Sequence, residues 1–241
     1  MSRSIFIVII SFVCIFSACK KNDSFTVEPI SDYYPLVVGK YITYDLDSLV
    51  FTNFGTELDT FHYQVKYSVD AAAVDNLNRS GYSVIRYIRF DSTFDWTPDH
   101  TDFVLNTGHS LEFTEDNMKY IKLSEPFQEG FSWLGNAYIA TDQSDLAYLD
   151  NWNYTYDSLN TPITLGALTV DSTITVIEEN DSTNFPIDPT ATSVAIKKYS
   201  VEKYAKHIGL VYRNFFYQEY QERTAFTDAG YGIILTMIDH N

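Results

Sequence analysis

The stretch FHYQVKYSV, residues 61–69, decides the fold class. Phe61, Tyr63, Val65, Tyr67 and Val69 alternate with His62, Gln64, Lys66 and Ser68. Successive side chains of an extended chain point to opposite faces, so a period of two gathers the apolar groups on one face and the polar groups on the other. Similar runs fall at 41–46, 82–90, 118–123, 168–177, 194–204, 210–220 and 232–238. Turn chemistry separates them: Asn53-Phe54-Gly55, Asn78-Arg79-Ser80-Gly81, Pro98-Asp99, Asn106-Thr107-Gly108, Glu129-Gly130, Asn160-Thr161-Pro162 and Asp188-Pro189. Strands in close succession without helices between them predict an antiparallel meander. With roughly eight to ten strands, such a sheet curls or splits. The expectation is therefore all-β: a single antiparallel meander, curled into an open barrel or a β-sandwich, with very little helix. The alanine cluster at 70–77 is the stretch that fits a turn or two of helix.

The N-terminus is built differently. Ser2-Arg3-Ser4 is a short positive flank, residues 5–16 are almost wholly apolar, and the small Ser17-Ala18 precede Cys19. That order is a secretory signal peptide. Its apolar run of about a dozen residues is short of the roughly 20 that span a bilayer. Phe16-Ser17-Ala18-Cys19 resembles the lipobox of bacterial lipoproteins, with Phe16 where Leu is usual. The resemblance implies that residues 1–18 are removed and that the Cys19 thiol and its new amine are acylated. Several acyl chains on one residue make a durable membrane anchor. Cys14 leaves with the signal, so no disulfide, zinc-thiolate site or cysteine nucleophile is expected. Residues 19–32 carry no apolar period and read as the lipidated cysteine and its tether, which leaves 33–241 as a single β-rich domain. Lys20 resembles outer-membrane sorting more than inner-membrane retention. The expectation is an exported protein anchored to the outer membrane, on its periplasmic face or at the cell surface.

The formal net charge of −16 repels phosphate backbones, so no nucleic-acid partner is expected. Apolar residues make up 45% of the chain and aromatic residues 16%, enough for a folded core. The lipobox, the 33–48 segment that opens Tyr33-Tyr34-Pro35-Leu36, the 204–212 segment around His207-Ile208-Gly209 and the closing strand to Asp239 together resemble a group of uncharacterised lipoproteins from Bacteroidota-type bacteria. That resemblance implies an envelope lipoprotein with an all-β domain, and it brings no activity and no catalytic residues.

Chemistry-bearing motifs are sparse. The chain has no Gly-x-Ser-x-Gly elbow, His-Glu-x-x-His, Walker loop, Gly-x-Gly-x-x-Gly or EF-hand loop. No catalytic, cofactor or metal residue is assigned, and no cofactor is expected. Asp95, Asp99, His100 and Asp102 read either as oxygen-rich ligands for a hard cation or as a solvated hairpin loop. Trp152, Tyr154 and Tyr156 share one strand face and form either a sugar-stacking platform or a core face. The five histidines have no metal-ligand spacing. Asp-Ser pairs followed by Leu or Thr recur at Ser48, Ser92, Ser158, Ser172 and Ser182, and resemble the O-glycosylation acceptor of exported Bacteroidota proteins. Their alternative is turn chemistry. The function expected is a membrane-anchored, non-catalytic binding or assembly module for an envelope protein or glycan. The alternatives are a carrier or sensor of an apolar ligand in an open half-barrel, and a carboxylate-based hydrolase.

Overall fold

The computed structural model describes residues 28–188, 190, 192–222 and 226–241. Cys19, the signal segment and most of the expected tether lie outside these residues. Twelve strands form one sheet: β1 (Tyr41–Thr52), β2 (Glu57–Val74), β3 (Ser80–Arg89), β4 (Thr97–Asn106), β5 (Ser110–Glu115), β6 (Met118–Ser124), β7 (Ser132–Leu134), β8 (Asn153–Leu165), β9 (Leu168–Thr183), β10 (Val194–Ala205), β11 (Gly209–Gln221) and β12 (Phe226–His240). The strand order is β6-β5-β4-β3-β2-β1-β12-β11-β10-β9-β8-β7. Every pair is antiparallel: two meanders, β1–β6 and β7–β12, are joined where β12 pairs with β1, and β6 and β7 are left as the two edges.

So wide a sheet curls, and its two edges nearly meet as a barrel. The Ile121 amide of β6 donates to Gly135 O, just past β7, at 2.8 Å, and the Trp133 indole donates to Ile121 O at 2.7 Å. The Tyr156 hydroxyl of β8 donates to Ser124 O at 2.7 Å and accepts from the Ser124 amide at 3.0 Å. One backbone bond and the side chains of Trp133 and Tyr156 thus stitch a seam that no strand ladder closes.

A short helix, α1 (Ile30–Tyr33), precedes β1. Ile30 and Tyr33 are buried, so the folded part begins inside the stretch expected to be tether. Beyond it, Tyr34 packs on Phe113 and Tyr204 inside the barrel, and Gly39 makes the turn into β1 at φ 89. This segment plugs one end of the barrel, the end that holds the connections 75–79, 107–109 and 206–208. The opposite end, the mouth, carries the connections 53–56, 90–96, 116–117 and 135–152.

Three local expectations yield to tertiary pairing. The alanine cluster continues β2 against β3, with Ala72 opposite Tyr82. Pro98 lies within β4 rather than in a turn, opposite Tyr87 at a register shift. Asn160-Thr161-Pro162 lies inside β8, where repeated register shifts against β9 absorb Asn160 at positive φ and the missing proline donor.

Candidate functional site: a charged belt and an aromatic mouth

The interior contains two apolar clusters. One centres on Val84, Val104, Leu111, Leu123, Trp152, Tyr154, Tyr156 and Ile174, the other on Tyr44, Leu46, Val65, Val211 and Leu235. Between members of both lies a cavity of about 30 Å³, walled by Tyr34, Tyr67, Phe113 and four charged side chains: Glu115, Lys122, Glu202 and Arg213. That is room for a water or two.

The charges come from opposite walls. Lys122 Nζ on β6 donates to Glu178 Oε1 on β9 and to Glu202 Oε1 on β10, each at 2.8 Å. The second oxygens are also used: Ser200 Oγ donates to Glu178 Oε2 at 2.6 Å, and Tyr204 donates to Glu202 Oε2. Arg213 on β11 sits 3.5 Å from Glu202 Oε1 and 3.4 Å from Glu115 Oε2 on β5. Each of these residues occupies an inward position of its strand, so the belt interrupts the apolar pattern that alternation predicts.

Electrostatics separates the two glutamates that share Lys122. Burial, and then the Glu202 charge, push the Glu178 carboxyl up. Burial opposes ionisation of Glu202 as well, but Lys122 and Arg213 outweigh it and hold that carboxyl below its usual range. Glu115 is held down in the same way, by Arg213 and Lys122 against burial. Buried ions persist only when paired and hydrogen-bonded, and Lys122 with Glu178 and Glu202 meets both conditions.

Around β4 the belt is less complete. Arg86 Nε, His100 Nε2, both Asp102 carboxylate oxygens and Arg213 Nε are buried without a hydrogen-bond partner. His100 Nε2 lies 3.4 Å from Asp102 Oδ1, and His100 Nδ1 lies 3.3 Å from Asp99 Oδ2.

At the mouth, the inner face turns aromatic. Register places Tyr217 opposite Tyr231, Tyr231 opposite Val50, and Phe61 opposite Ser48, across β11, β12, β1 and β2. Phe90 continues the row, edge-on to Tyr63 at 6.2 Å and to Phe94 at 5.9 Å. The 135–152 connection covers one side: Tyr148 stacks on Tyr217 at 4.3 Å, and its hydroxyl lies 3.2 Å from that of Tyr231. The other side is open. Phe90 is 62% exposed, Phe94 56% and Phe61 45%, a shelf of large apolar groups facing solvent.

The residues singled out from sequence fare unequally. Trp152, Tyr154 and Tyr156 are all buried, with Trp152 at 2% exposure, so they offer no face to a sugar and take the core alternative. Their rings are large and their polar atoms are satisfied within the fold, by Tyr148 O, Asn136 and Ser124 respectively. Asp99, His100 and Asp102 do converge, but Asp102 faces inward and Asp95 outward, and among the described residues no cluster of three or more acidic, histidine or cysteine groups fits a metal ion. Ser92 and Ser182 are exposed, whereas Ser48, Ser158 and Ser172 are half-buried. Ser172 also donates to Asn160 Oδ1 at 2.9 Å. The belt and the shelf were both missed. Arg213 between Val211 and Phe215, and Glu202 between Ser200 and Tyr204, are signals of the belt that alternation alone ranks as errors.

No protein-family model matches the chain, and no curated protein matches it significantly. One similar solved structure comes from Bacteroides fragilis and is described, provisionally, as an exported protein with a YMCC-like fold. The two share 12% identity at a TM-score of 0.38, over 86% of this chain and 99% of that one. A superposition that loose carries no argument about fold or function.

Proposed function

We propose that the protein is a lipid-anchored envelope lipoprotein that serves as a non-catalytic binding or assembly module, with the open side of its mouth as the working surface. The observation that carries this reading is polarity along the barrel. Glu28, where the described chain starts, pairs with Lys206 at 2.6 Å at the plug end, while the exposed Phe61, Phe90 and Phe94 lie at the other end. An anchor at Cys19 then holds the plug end towards the membrane and turns the shelf away from it. The packed interior supports surface binding over ligand carriage: the cavities beside Tyr34 are about 30 Å³ each, against the roughly 300–1,000 Å³ of small-molecule sites. Outer-membrane placement and glycosylation at the exposed Ser92 and Ser182 belong to the same reading.

The test uses living cells. A photo-crosslinking residue at Phe90 is expected to trap a discrete adduct, and one at the outward-facing Asp45 is not. Adducts at both positions or at neither would refute the assigned surface. Radiolabelled palmitate is expected to enter the wild type and not Cys19→Ala. Intact mass equal to that of the acylated polypeptide would remove glycosylation.

A further inference from the structure

His100 Nε2 and Asp102 Oδ1 face each other at 3.4 Å on the inner side of β4, and neither has another hydrogen-bond partner. The Asp102 side chain is wholly inaccessible, and its Oδ2 is also unpartnered. A carboxylate in that position has lost its hydration and gained no donor, which is costly. A neutral imidazole has one N–H; placed on Nδ1, which lies 3.3 Å from Asp99 Oδ2, it leaves Nε2 as a lone pair. Two acceptors facing each other repel. One proton between them turns the contact into a hydrogen bond.

The geometry points to Asp102 as a neutral carboxylic acid that donates to His100 Nε2, and to this pair as a pH-sensitive latch beneath the plug. The groups around it are Arg86 on β3, Tyr67 on β2, Glu115 on β5, Asp116 in the next turn, Arg213 on β11 and Tyr34 from the plug. Arg86 turns Nη1 towards Asp99 at 3.3 Å and lays its guanidinium over the Tyr67 ring, and its Nε makes no hydrogen bond to Asp102. Burial, reinforced by Glu115 and opposed by Arg86, pushes the Asp102 carboxyl up to about 8. The pair is linked laterally to the plug. Asp102 lies opposite Val84, Val84 opposite Val69, and the Gly39 amide donates to Val69 O at 2.8 Å.

The sign follows from linkage. Where the closed barrel keeps Asp102 protonated and the opened wall ionises it, proton loss favours opening. The latch is therefore strongest in acid, weakens as pH rises from about 4 towards about 8, and changes no further above that. Glu178, also raised, contributes a slope of the same direction. Comparison with Asp102→Asn, which keeps a donor for His100, isolates Asp102.

The experiment is NMR on the purified protein from pH 5 to 9. The Asp102 carboxyl carbon is expected to titrate near pH 8, with the His100 Nε2 resonance moving in the same step. The protection of the Gly39 amide, corrected for intrinsic exchange, is expected to fall by up to about tenfold per pH unit below that step and then level off. Asp102→Asn is expected to lose most of this slope. An Asp102 carboxyl already ionised at pH 6 would overturn the proposal, as would a Gly39 slope unchanged in the variant. The wild-type titration decides even if the variant does not fold.

Discussion

Lys122 on β6 and Glu178 on β9 meet across the inside of the barrel at 2.8 Å, although these strands lie far apart in the order of the sheet. The contact, doubled by Glu202, ties the last strand of one arm to the middle of the other. Lys122→Met keeps the stem and removes the charge, leaving two buried carboxylates facing each other. Removing one partner from such a group costs about 3–5 kcal/mol. Denaturant unfolding should show that loss near pH 8 and a smaller one near pH 5, where the orphaned glutamates take up protons.

Glu202 and Glu115 give the acid limb of stability. Both are held below the usual carboxylate range, so each contributes stability that is present above roughly pH 4.3 and lost as pH falls through its depressed folded value. Asp102 and Glu178 act in the opposite sense, losing their contribution as pH rises. The sum is a maximum in mild acid. Glu202→Gln should flatten the loss below pH 4 in thermal unfolding. An acid limb unchanged in that variant would assign it to other carboxylates.

Tyr156 closes the seam with one hydroxyl that both donates to Ser124 O and accepts from the Ser124 amide. Tyr156→Phe keeps the ring and removes the partner of two half-buried backbone groups of Ser124, at about 1–3 kcal/mol. Hydrogen exchange locates the effect. The Ser124 amide should lose protection ahead of the β1–β2 core, whereas an equal loss across the whole sheet would mean that the seam opens only with global unfolding.

The strands that sequence reveals are those with one clean apolar face. Residues 61–69 lie wholly within β2, and Val65 is fully buried, as their alternation requires. The strands that escape are β4, the short β5 and β7, and the second half of β8; in β4 and β8 inward positions or bulges carry polar residues and proline. In β4, His100 and Asp102 stand where alternation asks for apolar groups, because this wall faces the belt rather than the oily part of the interior. In β8, Pro162 and Asn160 imitate a turn that the pairing with β9 overrides by shifting register. Barrel was favoured over sandwich by Trp133, Tyr156 and Lys122, contacts between residues remote in sequence that no local pattern contains. The same limit misplaces the aromatic surface. Trp152-Asn153-Tyr154 carries the stronger local signal for a platform, yet the 135–152 connection folds over it.

That exchange of roles between buried and exposed aromatics is open to direct measurement. Trp152 stacks on Phe215 at 6.1 Å, and its indole donates to Tyr148 O at 2.8 Å, so it holds the cover on one side of the mouth. Trp152→Ala removes a fully packed ring and should cost about 3–5 kcal/mol. Phe90 meets Tyr63 and Phe94 edge-on, and both phenylalanines are more than half exposed. Phe90→Ser and Phe94→Ser should each leave stability within about 0.5 kcal/mol of wild type, as exposed positions do. If the shelf is the working surface, these two variants, each carrying the crosslinking residue at Phe61 instead, lose the in-cell adduct while still folded. Trp152→Ala would lose it only in proportion to unfolding. A Phe90→Ser protein that unfolds as readily as Trp152→Ala would instead make Phe90 a packing residue, and the shelf part of the core.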